Sequence, residues 1–334
     1  AFGGGSGLDM GKLIAFMSGQ ARPVWDYEDV GDWWTRAEPR GIAPIIAVPT
    51  TAGTGSEVGR AGILTDERTH TKRIIFHPQM MPKIVISDPE LTVGMPAWVT
   101  AGTGMDAFSH CLEAYCAPGF HPLADGIAVE GMRLVQQSLV RAVRQPDDLD
   151  ARADMLAAAA MGATAFQKGL GGMHALAHPI GALYDTHHGM TNATLMPYVL
   201  KFNRSAIEER ITRLAAYLGL ANPGFDSFLD LVMRLRSDTG VPHSLVTTMA
   251  SSQHDEIIRV ALELHCDLIF LEKCRGLLAP FAGGKTIPTA GLRAMLGAAE
   301  GLSHAAATGE IAADEAKREL FETITAMVAR SAKG

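Results

Sequence analysis

At 334 residues the chain is long enough for a large core and two domains; 47% of it is hydrophobic but only 6% aromatic, so that core must be built from Ala, Leu, Ile, Val and Met. A net charge of −7 with no basic patch argues against a nucleic-acid partner, and no apolar run approaches the roughly 18 residues of a spanning helix or resembles a secretory signal, which leaves no membrane role. The four cysteines, Cys111, Cys116, Cys266 and Cys274, form no CxxC pair and read as reduced thiols of a cytoplasmic protein.

The chain opens on AFGGGSGLDMGK, a glycine run followed by the helical pattern MGKLIAFM. Such a turn lets backbone approach a ligand, and the free N–H groups of the helix start favour an anion such as pyrophosphate. It fits neither standard phosphate fingerprint: Leu8 stands at the last Gly of G-x-G-x-x-G, and Ser6 at the first Gly of a Walker A. Trp25, Trp33 and Trp34 follow in a polar connection and suit packing. Residues 42–48, IAPIIAV, read as a buried parallel strand running into Pro49-Thr50-Thr51-Ala52-Gly53-Thr54-Gly55-Ser56-Glu57. A hydroxyl- and glycine-rich loop at a strand's C-terminal end is where open α/β sheets bind ligands, although an ordinary turn has the same composition. A second strand is predicted near 83–87, ended by Asp88-Pro89. From Pro96 onward apolar residues recur every three or four positions, as in GMDAFSHCLEAY, ADGIAVEGMRLVQQSLVRAV, ADMLAAAAMGATAFQ and EERITRLAAYLGL. The fold class expected is therefore α/β followed by all-α, with an α/β domain over 1–98, a helical domain over 99–334 and a site between them.

Of 12 histidines, six fall between positions 110 and 188. Asp106 and His110 are four apart, so they share a helix face; His174 and His178 repeat that spacing, and His188 follows ten residues on, where a helix could have ended and the chain turned back. Any one histidine here is more often structural than a ligand. The paired spacing is what a helix needs to aim two groups at one point, and one carboxylate with three imidazoles suits Zn²⁺ or Fe²⁺ rather than Ca²⁺ or Mg²⁺. His121, His187 and the dispersed His70, His77, His243, His254, His265 and His304 are read as surface or structural. Glu113, three residues past His110, is read as supporting the site or lying on the helix surface, and Ser56 and Glu57 receive no role.

Four segments, GGGSGLDMGK, PTTAGTGSE, GMDAFSHCLEAY and GGMHALAHPIGALYDTHHGMTNA, together resemble the iron-containing (group III) alcohol dehydrogenases, over roughly residues 3–250. The resemblance implies a dehydroquinate synthase-like two-domain architecture and hydride transfer between an alcohol and NAD or NADP. It implies that Asp106, His110, His174 and His188 hold Fe²⁺, with Zn²⁺ an alternative, and that His178 lies beside the metal and relays a proton. Gly4, Gly5 and Ser6 would contact the pyrophosphate, with Asp9 in the same cofactor-binding turn. Thr50, Thr51 and Thr54 would line the ribose and nicotinamide, and Lys72 would reach the cofactor. A small alcohol or aldehyde substrate and a homo-oligomer are implied as well.

Three departures from the family pattern stand out. The sequence begins almost on the GGGS turn, where family members have further strands, so an N-terminally incomplete cofactor domain with an exposed strand edge and weakened dinucleotide binding is expected. Ala61 stands where some members carry a polar residue. After about 255 the likeness fades, with no Asn-Pro-Arg stretch. Three other readings compete: a metal-dependent hydrolase or oxygenase, which leaves the glycine turn and threonine loop unexplained; a nucleotide-binding module at APFAGGKT, 279–286, which lacks a preceding strand; and a non-catalytic metal-binding remnant.

Overall fold

The structure, a computed structural model, describes residues 1–68, 71–184 and 186–242. The APFAGGKT segment, Cys266, Cys274, His70, His243, His254, His265, His304 and the helical stretch expected toward 334 lie outside the described residues.

The glycine run is framed by a short strand that the pattern does not foretell: β1 (Phe2–Gly3) leads through the extended residue Gly4 into α1 (Gly5–Met17). β2 (Ile46–Pro49) lies parallel to β1 with Phe2 beside Val48. The expected strand over 42–48 pairs only from Ile46, two residues after Pro44, which has no N–H for a ladder. Two further strands, β3 (Ala61–Asp66) and β4 (Thr71–Phe76), form an antiparallel hairpin in register from Ala61–Phe76 to Asp66–Thr71. β5 (Ile84–Val85) is shorter than the predicted 83–87, but hydrogen bonds from Lys83 N to Ile45 O at 2.8 Å and from Ile86 N to Ala47 O at 2.9 Å extend its pairing with β2. The parallel sheet is thus ordered β1-β2-β5. Phe2, Ile46, Ile84, Val85 and Ile86 along it are exposed.

α1 packs on the hairpin, and Leu13, Phe16, Tyr27, Ala37, Ile75 and Met80 make a small core between them. Gly62 is needed at this crossing, since a Cβ there would stand 2.7 Å from Leu13 Cγ. The tryptophans pack as expected: Trp34 meets Phe76 and His77 edge-on, and Arg36 lies over Trp33 at 4.1 Å.

The chain then becomes helical, through α2 (Ala97–Cys116), α3 (Pro122–Arg144), α4 (Leu149–Ala165), α5 (Gly172–Tyr184), α6 (His188–Tyr217) and α7 (Phe225–Asp238). α2 is buried over nearly its whole length and is surrounded by α3, α4 and α6, which explains its small residues Ala101, Gly102 and Gly104. The larger core gathers Met105, Phe108, Leu112, Met132, Leu139, Met155 and Met196. Two histidines read as structural prove to be helix caps: His121 Nδ1 accepts from Ala124 N at 3.2 Å and His187 Nδ1 from Met190 N at 3.3 Å. The fold is α/β followed by all-α, and among the described residues no helix is long and apolar enough to cross a membrane.

Candidate metal centre and dinucleotide cleft

α2 is the platform of the site. It carries Asp106 and His110 on one face and meets three other segments at backbone distance. Gly189, at the start of α6, lies so close that a Cβ there would stand 2.1 Å from Gly102 O. Gly162 of α4 packs over His110, where a Cβ would stand 3.0 Å from His110 Cβ. The threonine loop seats itself through two glycines: a Cβ at Gly53 would stand 2.7 Å from Thr103 Cβ, and one at Gly55 would stand 2.2 Å from Ala163 Cβ. Gly55 also has φ +63°, so the GTG sequence is what brings this loop onto α2 and α4.

These approaches gather Asp106, His110, His174 and His188, whose candidate ligand atoms all lie within 4.8 Å of one another. His188 is not in a loop, as the spacing suggests, but is the first residue of α6. Nε2 of His174 and of His188 stand 3.8 and 3.6 Å from Asp106 Oδ1. Four ligands at 2.0–2.3 Å around a tetrahedral ion are roughly 3.3–3.8 Å apart, so these separations fit. The rings of His110 and His174 stack at 4.6 Å, and His178 stacks on His188 at 5.3 Å. Asp106, His110 and His174 are buried, while the His188 side chain is 28% exposed and marks the open side.

Two residues beyond the predicted set complete the centre. Asn192 Nδ2 sits 2.9 Å from Asp106 Oδ1, 3.1 Å from His174 Nε2 and 3.2 Å from His188 Nε2. Three acceptors converge on one amide with two hydrogens, and a cation suits the same lone pairs. Its Oδ1, like Nδ1 of His110, has no hydrogen-bond partner among the described residues. Asn192 is four residues past His188 and so shares its helix face, a spacing that would have revealed it. Glu113 is not on the helix surface: it is buried and accepts from His174 Nδ1 at 2.6 Å.

The charges favour a cation as well. Burial pushes the Asp106 carboxyl up, but the imidazoles of His110, His188 and His174 and the Asn192 amide outweigh it and hold Asp106 below the usual carboxylate range. Burial pushes His110 and His188 down to about 4, against the pull of Asp106. Both are therefore neutral near pH 7, with lone pairs to offer. His178 is pushed well below its ordinary value by burial, then by His174, His188 and Lys72. His174 moves the other way: burial lowers it, but Glu113 and Asp106 raise it further. Glu113 stays below its ordinary value despite burial, because His174 and the N–H groups of Gly171 and Met173 favour its anion.

The two segments expected to hold a dinucleotide are brought together. Cβ atoms at Gly4 and Gly5 would stand 3.1 Å from Thr51 Cγ2 and 2.7 Å from Thr54 Cγ2. Thr50 N donates to Gly3 O at 2.9 Å, and Ser6 is exposed in the first turn of α1. Asp9 is engaged internally: Oδ2 accepts from Ile63 N at 3.1 Å, and Oδ1 accepts from the Ser56 hydroxyl and lies 3.1 Å from Lys12 Nζ. Lys12 and Glu57 are buried beside it, with burial lowering the first and raising the second. Lys72 lies exposed on β4 but reaches α5, its Nζ 3.6 Å from where a Cβ of Gly181 would be.

Comparison with known proteins matches residues 1–89 to "Iron-containing alcohol dehydrogenase" and residues 100–270 to "Fe-containing alcohol dehydrogenase family, C-terminal". A 4-hydroxybutyrate dehydrogenase of Cupriavidus necator is 41% identical over 80% of this chain and 71% of its own length. A 1,3-propanediol dehydrogenase of Citrobacter freundii is 37% identical over 73% of this chain and 63% of its own length. Among solved structures, sulfoacetaldehyde reductase from Bifidobacterium kashiwanohense in complex with NAD+ superposes with a TM-score of 0.73 at 31% identity, over 80% of this chain and 70% of that one. The chain thus spans from under two thirds to about seven tenths of these relatives.

Proposed function

We propose that this chain, which belongs to the iron-containing alcohol dehydrogenase family, interconverts an alcohol and its aldehyde by hydride exchange with a nicotinamide dinucleotide beside a divalent metal. The observation that carries the reading is the convergence of one carboxylate and three imidazoles on α2, α5 and α6, one helical turn from the residue on which the threonine loop is seated. Asp106, His110, His174 and His188 would hold Fe²⁺ or Zn²⁺. When bound, such an ion supplies Lewis acidity toward the substrate oxygen, and the nicotinamide accepts or returns the hydride.

The remaining chemistry falls to the chain. Gly4, Gly5 and Ser6 present the start of α1 to the pyrophosphate, and Thr50, Thr51 and Thr54 orient the nicotinamide half against α2. Lys72 reaches toward the same region from β4. His178 is neutral and adjoins His188, so it can accept the hydroxyl proton and return it in the reverse direction. Burial of Asp106, His110 and His174 excludes water from three sides. In this reading residues 1–98 hold the dinucleotide and the helices that follow hold the metal.

The substrate proposed is a small primary alcohol or its aldehyde; the relatives named for 4-hydroxybutyrate and 1,3-propanediol put alcohols with a second polar end first in a panel. The exposed apolar residues along the parallel sheet support a homo-oligomer. A cytoplasmic setting, with neither nucleic acid nor membrane as partner, agrees with the net charge and the free thiols. The test is NADH oxidation by the metal-loaded chain with that aldehyde panel, alongside metal content and NADH fluorescence. Turnover that disappears with a chelator and returns with Fe²⁺ or Zn²⁺ is expected. Metal bound without any NADH binding would favour the non-catalytic remnant.

A further inference from the structure

We propose that Glu113 is a positioning residue of the metal centre: from α2 it holds both the first turn of α5 and the ring of His174, and so sets how α5 presents His174 and His178. The inference rests on the metal reading above and extends it to a residue outside the ligand set.

The first amides of a helix have no carbonyl partner within it. α5 begins at Gly172 and follows Gly169-Leu170-Gly171, which offers no side chain able to cap it. The cap comes from 58 residues upstream. Glu113 Oε2 accepts from Gly171 N at 2.9 Å, and Oε1 accepts from Met173 N at 2.6 Å. A carboxylate at a helix start is favoured by the helix dipole as well. Room for it depends on glycine, since a Cβ at Gly171 would stand 3.1 Å from Oε1.

The same carboxylate fixes a tautomer. His174 Nδ1 lies 2.6 Å from Oε2, and an ionised carboxylate can only accept, so Nδ1 carries the proton. Nε2 is left with its lone pair facing Asp106 and Asn192. A carboxylate on the far nitrogen of a metal-bound imidazole orients the ring and raises its basicity, and losing such a partner typically costs 10–100-fold in metal affinity. Glu113 couples that effect to the helix start. In Glu113→Gln the amide carbonyl can occupy only one of the two oxygen positions, so either Met173 N–H or the Gly171 and His174 donors face an NH₂ group.

The experiment measures Zn²⁺ affinity by chelator competition and the visible spectrum with Co²⁺, for the unaltered chain and E113Q, each with and without H174A. It also records ¹H–¹⁵N ring correlations of His174 in the unaltered metal-free chain. The expected result is 10–100-fold weaker Zn²⁺ binding and a shifted Co²⁺ spectrum in E113Q. In the H174A background the effect of E113Q should fall to less than about threefold, because the ring through which Glu113 acts is gone. The His174 proton should reside on Nδ1. Unchanged affinity and spectrum in E113Q, or equal losses in both backgrounds, would overturn the proposal. So would a His174 ring with no proton on Nδ1, and that readout decides the matter even if E113Q fails to fold. Absence of metal binding by the unaltered chain would sink the metal reading instead, with the tautomer still deciding the role of Glu113.

Discussion

His178 lies one turn along α5 from His174, so the helix brings it to the metal ligands without making it one of them. With His178→Ala, metal content should stay unchanged while turnover falls by about 10²-fold, as for a lost acid–base group; loss of metal measured by elemental analysis would make it a ligand. His110 and His188 lie near 4 in the folded chain against 6.5 when free. Between these values the unfolded chain binds more protons, so the metal-free protein loses stability as pH falls through that window, each group adding up to about 1.4 kcal/mol per pH unit. Denaturant titrations at pH 7, 5.5 and 4.5 should show midpoints falling in that order, and a flat profile would mean that these imidazoles are not buried neutral. The pairing of Asp106 with His110 was legible because i,i+4 spacing is a local property of a helix, while His174 and His188 were joined to it by the family resemblance. Asn192 was within reach of the same spacing argument, four residues past His188, whereas the bonds of Glu113 were not, because they depend on where α5 starts and join residues 58 to 61 apart in sequence.

Three helices and one loop meet at the centre, and glycines govern how closely. Gly189→Ala would drive a methyl group into Gly102 O and lift the start of α6 from α2. Far-UV circular dichroism should remain largely helical while Zn²⁺ affinity falls at least about tenfold, since His188 moves with that helix end. Gly55→Ala combines a left-handed φ with a clash against α4 and should cost about 1–3 kcal/mol in denaturant unfolding, a loss that an ordinary surface loop would not show. The helices were readable from apolar periodicity, with one merger: the run EERITRLAAYLGL is the end of α6, which is continuous from His188 to Tyr217 around an internal Pro197. The β3–β4 hairpin was not readable, because Ile63 and Ile74 face solvent while the inward positions are a mixture of Gly62, Leu64, Asp66 and Ile75, leaving no conspicuous apolar stripe.

At the scale of the molecule, the parallel sheet supplies the threonine loop that is seated on α2 and the glycine turn that packs against that loop. β1 and β2 end side by side, and the glycine turn and the threonine loop leave them in contact. This adjacency was implied by the family likeness and by the rule that ligands gather at the carboxyl ends of parallel strands; the two-residue length of β1 could not be foreseen, since Ala1-Phe2 carries almost no strand signal. X-ray absorption at the metal edge of the chain loaded with one equivalent of Zn²⁺ or Fe²⁺ tests the central claim most directly. The account predicts three imidazole nitrogens and one carboxylate oxygen at about 2.0–2.3 Å, with room for exogenous oxygen. A shell containing sulfur, or one of oxygen alone, would contradict it.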